Sequence, residues 1–329
     1  VKIGVFIGGV AGLALAVWLL ASYGVGRILD LLALAGWVGV LSVTLFHLVQ
    51  VLFSAAAWRI IAGPTEPRPS LWRYGVLRWL REAVNNLLPV AQIGGEFVAG
   101  RVLQRWGVPL APAIAGTVAD LTMEMLTQIL FTLLGLVLLL YSVGHSNIAD
   151  YVISFLGVAC LVAAGFLGAQ WLGLAAAIER GLMRLGRSLG WSGTGKVEGL
   201  HKALLDCYRA PKRLFWAACS HSLSWLLGGA EVCLALHFLG HDVSLSAGLI
   251  IESLGQALKA AGFAVPGALG VQEGGYIVIC QLFNLSPEVA IALSLMKRLR
   301  EVVLGVPGLV MWQRMEFRTR RAAAAGAAL

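Results

Sequence analysis

The chain has 329 residues, of which 59% are hydrophobic and only 13% charged, with a formal net charge of +8. Soluble domains carry about 45–50% apolar residues, so this composition excludes an ordinary soluble enzyme and leaves no room for a separate soluble catalytic domain. A basic balance would point to nucleic acid in a soluble protein; here its placement along the chain points to one face of a membrane.

A helix crosses roughly 30 Å of hydrocarbon with about 20 residues, and the first apolar run, 3–22, meets that length. It follows only Lys2, yet it is longer than a secretory core and no clear small-residue cleavage site precedes Arg27, so it reads as a retained span. A second run covers 33–60. Residues 70–88 then look helical and amphipathic, "NLLPVAQIGG" breaks them at Pro89, Gly94 and Gly95, and "EFVAGRVLQRW" returns. Further apolar runs cover 110–141, 151–175, 214–239, 244–263 and 289–312. Residues 271–284, after the break "AGFAVPGALGVQEGG" with Pro266, Gly267 and Gly270, are too few to recross a bilayer.

Basic residues gather in 62–84, in 176–213 and in the tail, whereas the connections near 24–32, 142–150, 240–243 and 285–288 hold only Arg27. The positive-inside rule therefore puts the basic segments and both termini in the cytoplasm. Segment 176–213 alternates apolar and basic residues and reads as an interfacial amphipathic segment on an anionic cytoplasmic leaflet. The tail 317–329, rich in alanine, is expected to fray.

With that topology, 70–105 forms a re-entrant helical hairpin entering from the cytoplasm, and 244–284 forms one entering from outside. A shift of 177 positions carries Pro89 onto Pro266, Glu96 onto Glu273, Glu82 onto Lys259, Asp120 onto Lys297 and Glu124 onto Glu301. The expected fold is thus an all-α polytopic membrane protein. It is one transmembrane domain, 1–316, with an inverted-topology repeat: span, hairpin, span over about 33–141, and again over about 210–316. The two remaining spans are peripheral.

Ionisable groups inside a membrane usually face partners or water. Asp120 and Glu124 share a helix face and repel unless a cation, proton or basic partner joins them. Lys297, Arg298, Arg300 and Glu301 lie on nearly one turn, with Lys297 and Glu301 spaced to pair along the helix. Such charges serve either as structural glue between spans or as the lining of a polar cavity that grips a lipid headgroup or couples an ion. Glu96 and Glu273 each open the return helix of a hairpin, where a carboxylate caps the helix dipole or reaches a ligand. Arg81, Lys259, Asn85, Asn86, Gln92 and Gln272 complete the candidate set. Glu231, open to balance by His221 or by a snorkelling base, and Glu252 are further buried acids; His47, His221 and His237 read as packing or interface residues. With no CxxC, HExxH or GxxxxGK[ST] pattern, no metal, cofactor or ATP is expected.

At "REAVNNLLPVAQIGGE" and "VPGALGVQEGG" the chain resembles the lysylphosphatidylglycerol synthase transmembrane-region family, most closely its hopanoid-biosynthesis-associated HpnL branch. Ala268, and Gln272 before Glu273, depart from the family's Pro-Gly-Gly-Leu-Gly-type element. The resemblance implies a bacterial inner-membrane protein that translocates a hopanoid or related modified lipid, with hopanoid biosynthesis proteins as possible partners. A membrane-embedded lipid-modifying enzyme and a non-catalytic scaffold are the alternatives.

Overall fold

The computed structural model describes residue 18 and residues 25–88, 94–143, 199–261 and 270–326. The expected spans 3–22 and 151–175, most of segment 176–213, and the break residues Pro89, Gln92, Pro266 and Gly267 lie outside these. Among the described residues all regular structure is helical. In chain order the helices are α1 (Val25–Ala62), α2 (Leu71–Leu87), α3 (Gly94–Arg105), α4 (Leu110–Val143), α5 (Leu200–Tyr208), α6 (Pro211–Phe238), α7 (Leu245–Ala261), α8 (Val271–Gln281) and α9 (Pro287–Gly326).

Among the described residues two helices, Val25–Ala62 and Leu110–Ser142, are long and apolar enough by themselves to read as membrane spans. α6 and α9 match them in length at 28 and 40 residues, but both carry ionisable groups turned inward, among them Glu231, Lys297 and Arg300. The short helices α3 and α8, 12 and 11 residues long, reach only about 18 Å, less than the hydrocarbon thickness. Each packs on the helix before it, α3 on α2 and α8 on α7.

The structure departs from expectation at two ends. The connection expected near 24–32 belongs to α1, whose irregularity comes later, at Gly36 with φ 57°. At the other end α9 runs on through the expected tail to Gly326; alanine, frequent in that stretch, is the strongest helix former.

α1 and α6 make the most extensive helix pair. Their seam is polar and narrow: the Ser54 and Ser224 hydroxyls lie 3.0 Å apart, Ser224 donates to the Gln50 carbonyl, and Ser220 donates to the Phe53 carbonyl at 2.7 Å. Small polar residues let helices approach closely and bond across the gap where lipid offers no hydrophobic drive for association. Two apolar clusters flank the seam. One gathers Trp58, Leu77, Leu80 and Leu103; the other gathers Val43, Leu236, Ile250 and Met296. The outer surface is apolar as well, with Trp37, Trp72, Phe97 and Tyr141 more than 70% exposed, as suits a chain bathed in lipid.

Candidate functional site

The amphipathic α2 turns Arg78 and Arg81 inward, and both are nearly sealed from the surface. Three carboxylates converge on Arg81. Its Nε donates to Glu96 at 2.8 Å, Nη1 to Asp120 at 2.9 Å and Nη2 to Glu124 at 2.8 Å. Arg78 forks onto Glu124 at 2.8 and 2.5 Å and donates Nε to Glu82 at 2.8 Å. The repulsion expected between Asp120 and Glu124 is therefore relieved by two guanidiniums, and His221 contacts the far side of Asp120 at 3.0 Å. The fork geometry of arginine suits this, since it offers five donors in one plane.

α3 can approach α2 only because position 95 lacks a side chain. A Cβ there would sit 2.5 Å from the Arg81 carbonyl oxygen. In place of that side chain, Asn85 accepts the Gly95 backbone N–H at 2.8 Å, which caps α3 and leaves Glu96 to reach Arg81. Gly94 opens the same helix.

The second half solves the same problem differently. Glu273 accepts the Gly270 N–H at 2.7 Å, a helix-capping bond, while its other oxygen takes Arg298 at 2.7 Å and the Ser294 hydroxyl at 3.0 Å. Gly270, at φ 76°, stands in a backbone region that favours glycine. Gln272 donates to Ser294 at 3.2 Å. Lys297 pairs with Glu252, and Lys259 pairs with Glu301 at 2.8 Å.

Three sequence expectations about partners are overturned. Lys297 does not pair with Glu301 along α9, because each finds a carboxylate or ammonium on α7. Glu231 is balanced by Arg300, His47 and Gln50, and His221 goes to Asp120. His47 and His221 are ion-network members and not merely packing residues, whereas His237 contacts Asp242 at an exposed end. Arg78, Glu82, Gln50 and Ser294 were missed as site members. Arg78 and Glu82 stand four apart on α2, a spacing that could have announced that pair, whereas Gln50 and Ser294 find theirs on other helices.

These contacts join into one path. It runs from Glu96 through Arg81, Glu124, Arg78 and Glu82 to His47, then through Glu231, Arg300 and Glu301 to Lys259, with no link longer than 3.8 Å. At its centre a cleft of about 10 Å³, room for about one water, is lined by His47, Trp79, Glu82, Asn86, Arg300 and Glu301 among others. Below it, past the apolar part of α9, Arg101 and Arg105 of α3 meet Glu316 at 3.3 and 2.6 Å. Burial works against the Glu316 charge, yet the hydrogen bond and charge of Arg105 hold its carboxyl below the ordinary value.

The helices and the buried ionic path define the class: an α-helical membrane protein with a charged interior. The chain belongs to the family described as the lysylphosphatidylglycerol synthase TM region, whose model matches residues 3–308. That membership points to a membrane lipid-related function. No curated protein and no solved structure matches it.

Proposed function

We propose that the chain is a lipid translocase, not an enzyme, and that the buried ionic path is the surface along which a polar headgroup crosses while its hydrocarbon stays in the bilayer. The carrying observation is the path itself. A single ionisable group at the bilayer centre costs about 2.5–3.5 kcal/mol on insertion scales, and this interior holds ten such groups in one connected series.

A correspondence in helix order between the two halves supports the reading. The shift of 177 that aligns Glu96 with Glu273 also carries Gly94, the start of α3, onto Val271, the start of α8. It carries Leu110, the start of α4, onto Pro287, the start of α9. Packing follows the same correspondence: α2 lies on α9, and α7 lies on α4. In this reading the pairs α2/α3 and α7/α8 are re-entrant hairpins from opposite faces, and the units of about 33–141 and 210–316 rock about the cleft to open it alternately. The wider proposal includes a bacterial inner-membrane location with both termini cytoplasmic, and a place in the HpnL branch with a hopanoid or related modified lipid as cargo.

The test is mass spectrometry of lipids that co-purify with the chain, followed by leaflet movement of that lipid in sealed vesicles. Movement that slows in folded Glu124→Gln and Arg298→Ala supports the reading. Turnover of the lipid to a new product in detergent, where leaflets do not exist, replaces it with a lipid-modifying enzyme.

A further inference from the structure

Among the described residues His47 is one of two histidines through which ionisable groups of the two halves meet, the other being His221 on Asp120. From α2, Glu82 faces His47 Nε2 at 3.3 Å, itself held by Arg78; from α6, Glu231 faces Nδ1 at 3.0 Å. From α9, Arg300 Nη1 also lies 3.0 Å from Nδ1, with Glu301 beside it. On α1 itself Gln50, nearly one turn on, donates to Glu231 at 2.5 Å. α4 reaches the ring through Glu124 on Arg78, and α7 through Lys259 on Glu301 and through the charge of Glu252 near Arg300.

Nδ1 thus lies equally close to a donor that cannot accept and to an acceptor that cannot donate. The two contacts need opposite states of one nitrogen. Without a proton, Nδ1 accepts from Arg300 while Nε2–H donates to Glu82; with a proton, Nδ1–H donates to Glu231 and Arg300 faces a cation. Two further observations point the same way. Arg300 Nε is buried and has no partner among the described residues, so its guanidinium has donors to spare when Nδ1 is lost. Moreover, the permanent cations Arg78, Arg81, Lys259, Lys297, Arg298 and Arg300 are outnumbered by eight carboxylates in the described network, two charges short of neutral. The two histidines in that network, His47 and His221, each lie within 3.3 Å of a carboxylate.

We propose that His47 is a proton-binding site that couples the two halves. Protonation transfers the ring from Arg300 to Glu231 and turns Arg300 toward Glu301 and the cleft, where it meets an anionic headgroup. The step adds one proton to Nδ1 and changes nothing else covalently. Proton binding stands by itself; its use as the driving ligand rests on the translocase reading.

The experiment uses the full chain with ¹⁵N-labelled histidine in lipid nanodiscs, scanned over about pH 5 to 9, with the His47 signal assigned by its loss in His47→Gln. The expected result is a ring that changes from neutral to doubly protonated in this range. Glu231→Gln, which removes the charged acceptor of Nδ1–H, should lower the midpoint by at least about one pH unit. A ring of constant charge, or a midpoint unmoved in Glu231→Gln, overturns the proposal. Should His47→Gln not fold, His47→Asn supplies the assignment by the loss of the same signal.

A second arm measures movement of a fluorescently labelled phospholipid in vesicles of phosphatidylcholine and phosphatidylglycerol with separate internal and external pH. The wild type should respond to the gradient, and whatever movement His47→Gln retains, slowed or not, should be the same with and without it. Equal gradient dependence in both proteins overturns proton coupling while the translocase stands. A His47 that titrates as expected in a protein that moves no lipid removes the translocase and leaves the proton site.

Discussion

The two halves neutralise a similar load of buried charge by opposite designs. In the first, cations are shared: Arg81 serves Glu96, Asp120 and Glu124, and Arg78 serves Glu82 and Glu124. In the second, Lys297 pairs with Glu252 and Arg298 with Glu273, and only Arg300 is shared, between Glu231 and, at 3.8 Å, the Glu301 that Lys259 also holds. The aromatic support is alike, with Arg81 over the Trp58 ring at 5.4 Å and Lys297 over Tyr276 at 5.8 Å. A shared cation fixes the mutual position of three helices, while a private pair can separate from the rest without stranding a third charge. The comparison casts α2, α3 and α4 as the rigid half and the α7 to α9 side as the one whose contacts can exchange.

The largest expected break is Arg81→Met. It takes from Glu96 its paired cation and removes one partner each from Glu124, which keeps Arg78, and Asp120, which keeps His221, and should cost about 3–5 kcal/mol, read as loss of folded protein in detergent size-exclusion and a lower Tm. Lys297→Met strands Glu252 alone and should cost about 3 kcal/mol. The comparison sharpens in the double variants. Lys297→Met with Glu252→Gln should recover most of the lost Tm, whereas Arg81→Met with Asp120→Asn should recover little, because Glu96 remains charged without its arginine. Equal recovery in both would erase the distinction between the halves.

Next in size is Gly95→Ala, whose new Cβ meets the Arg81 carbonyl and should cost about 1–3 kcal/mol. Gly100→Ala on the same helix meets nothing within 4 Å and should leave Tm unchanged or raised. The smallest effect belongs to Arg27→Ala. Arg27 reaches Glu288 at 3.6 Å but is 80% exposed, so the change should fall within about 0.5 kcal/mol.

The sequence carried the elements better than the partners. Proline, glycine and the amphipathic pattern marked the helix that the structure places at 71–87 and the return helix 94–105, because those signals are local. The shared face of Asp120 and Glu124 followed from helical spacing alone. Pairing did not. An i,i+4 ion pair is worth about 0.2–0.5 kcal/mol, so the spacing of Lys297 and Glu301 is a weak constraint. A buried Glu252 left without a cation costs several kcal/mol, and avoiding that greater penalty draws Lys297 across to α7. The role of His47 was illegible for the same reason, since Glu231 lies 184 positions away in the chain.

The central claim is that the two halves move against each other around the cleft to pass a lipid headgroup. Leu87 on α2 and Gly305 on α9 face each other there, with a Cβ built on Gly305 only 2.9 Å from Leu87 Cγ. A disulfide between Leu87→Cys and Gly305→Cys, with the native cysteines replaced, would join the halves. In sealed vesicles, oxidation should stop leaflet movement of the labelled lipid and reductant should restore it. Movement that continues at the same rate with the disulfide formed would contradict the account.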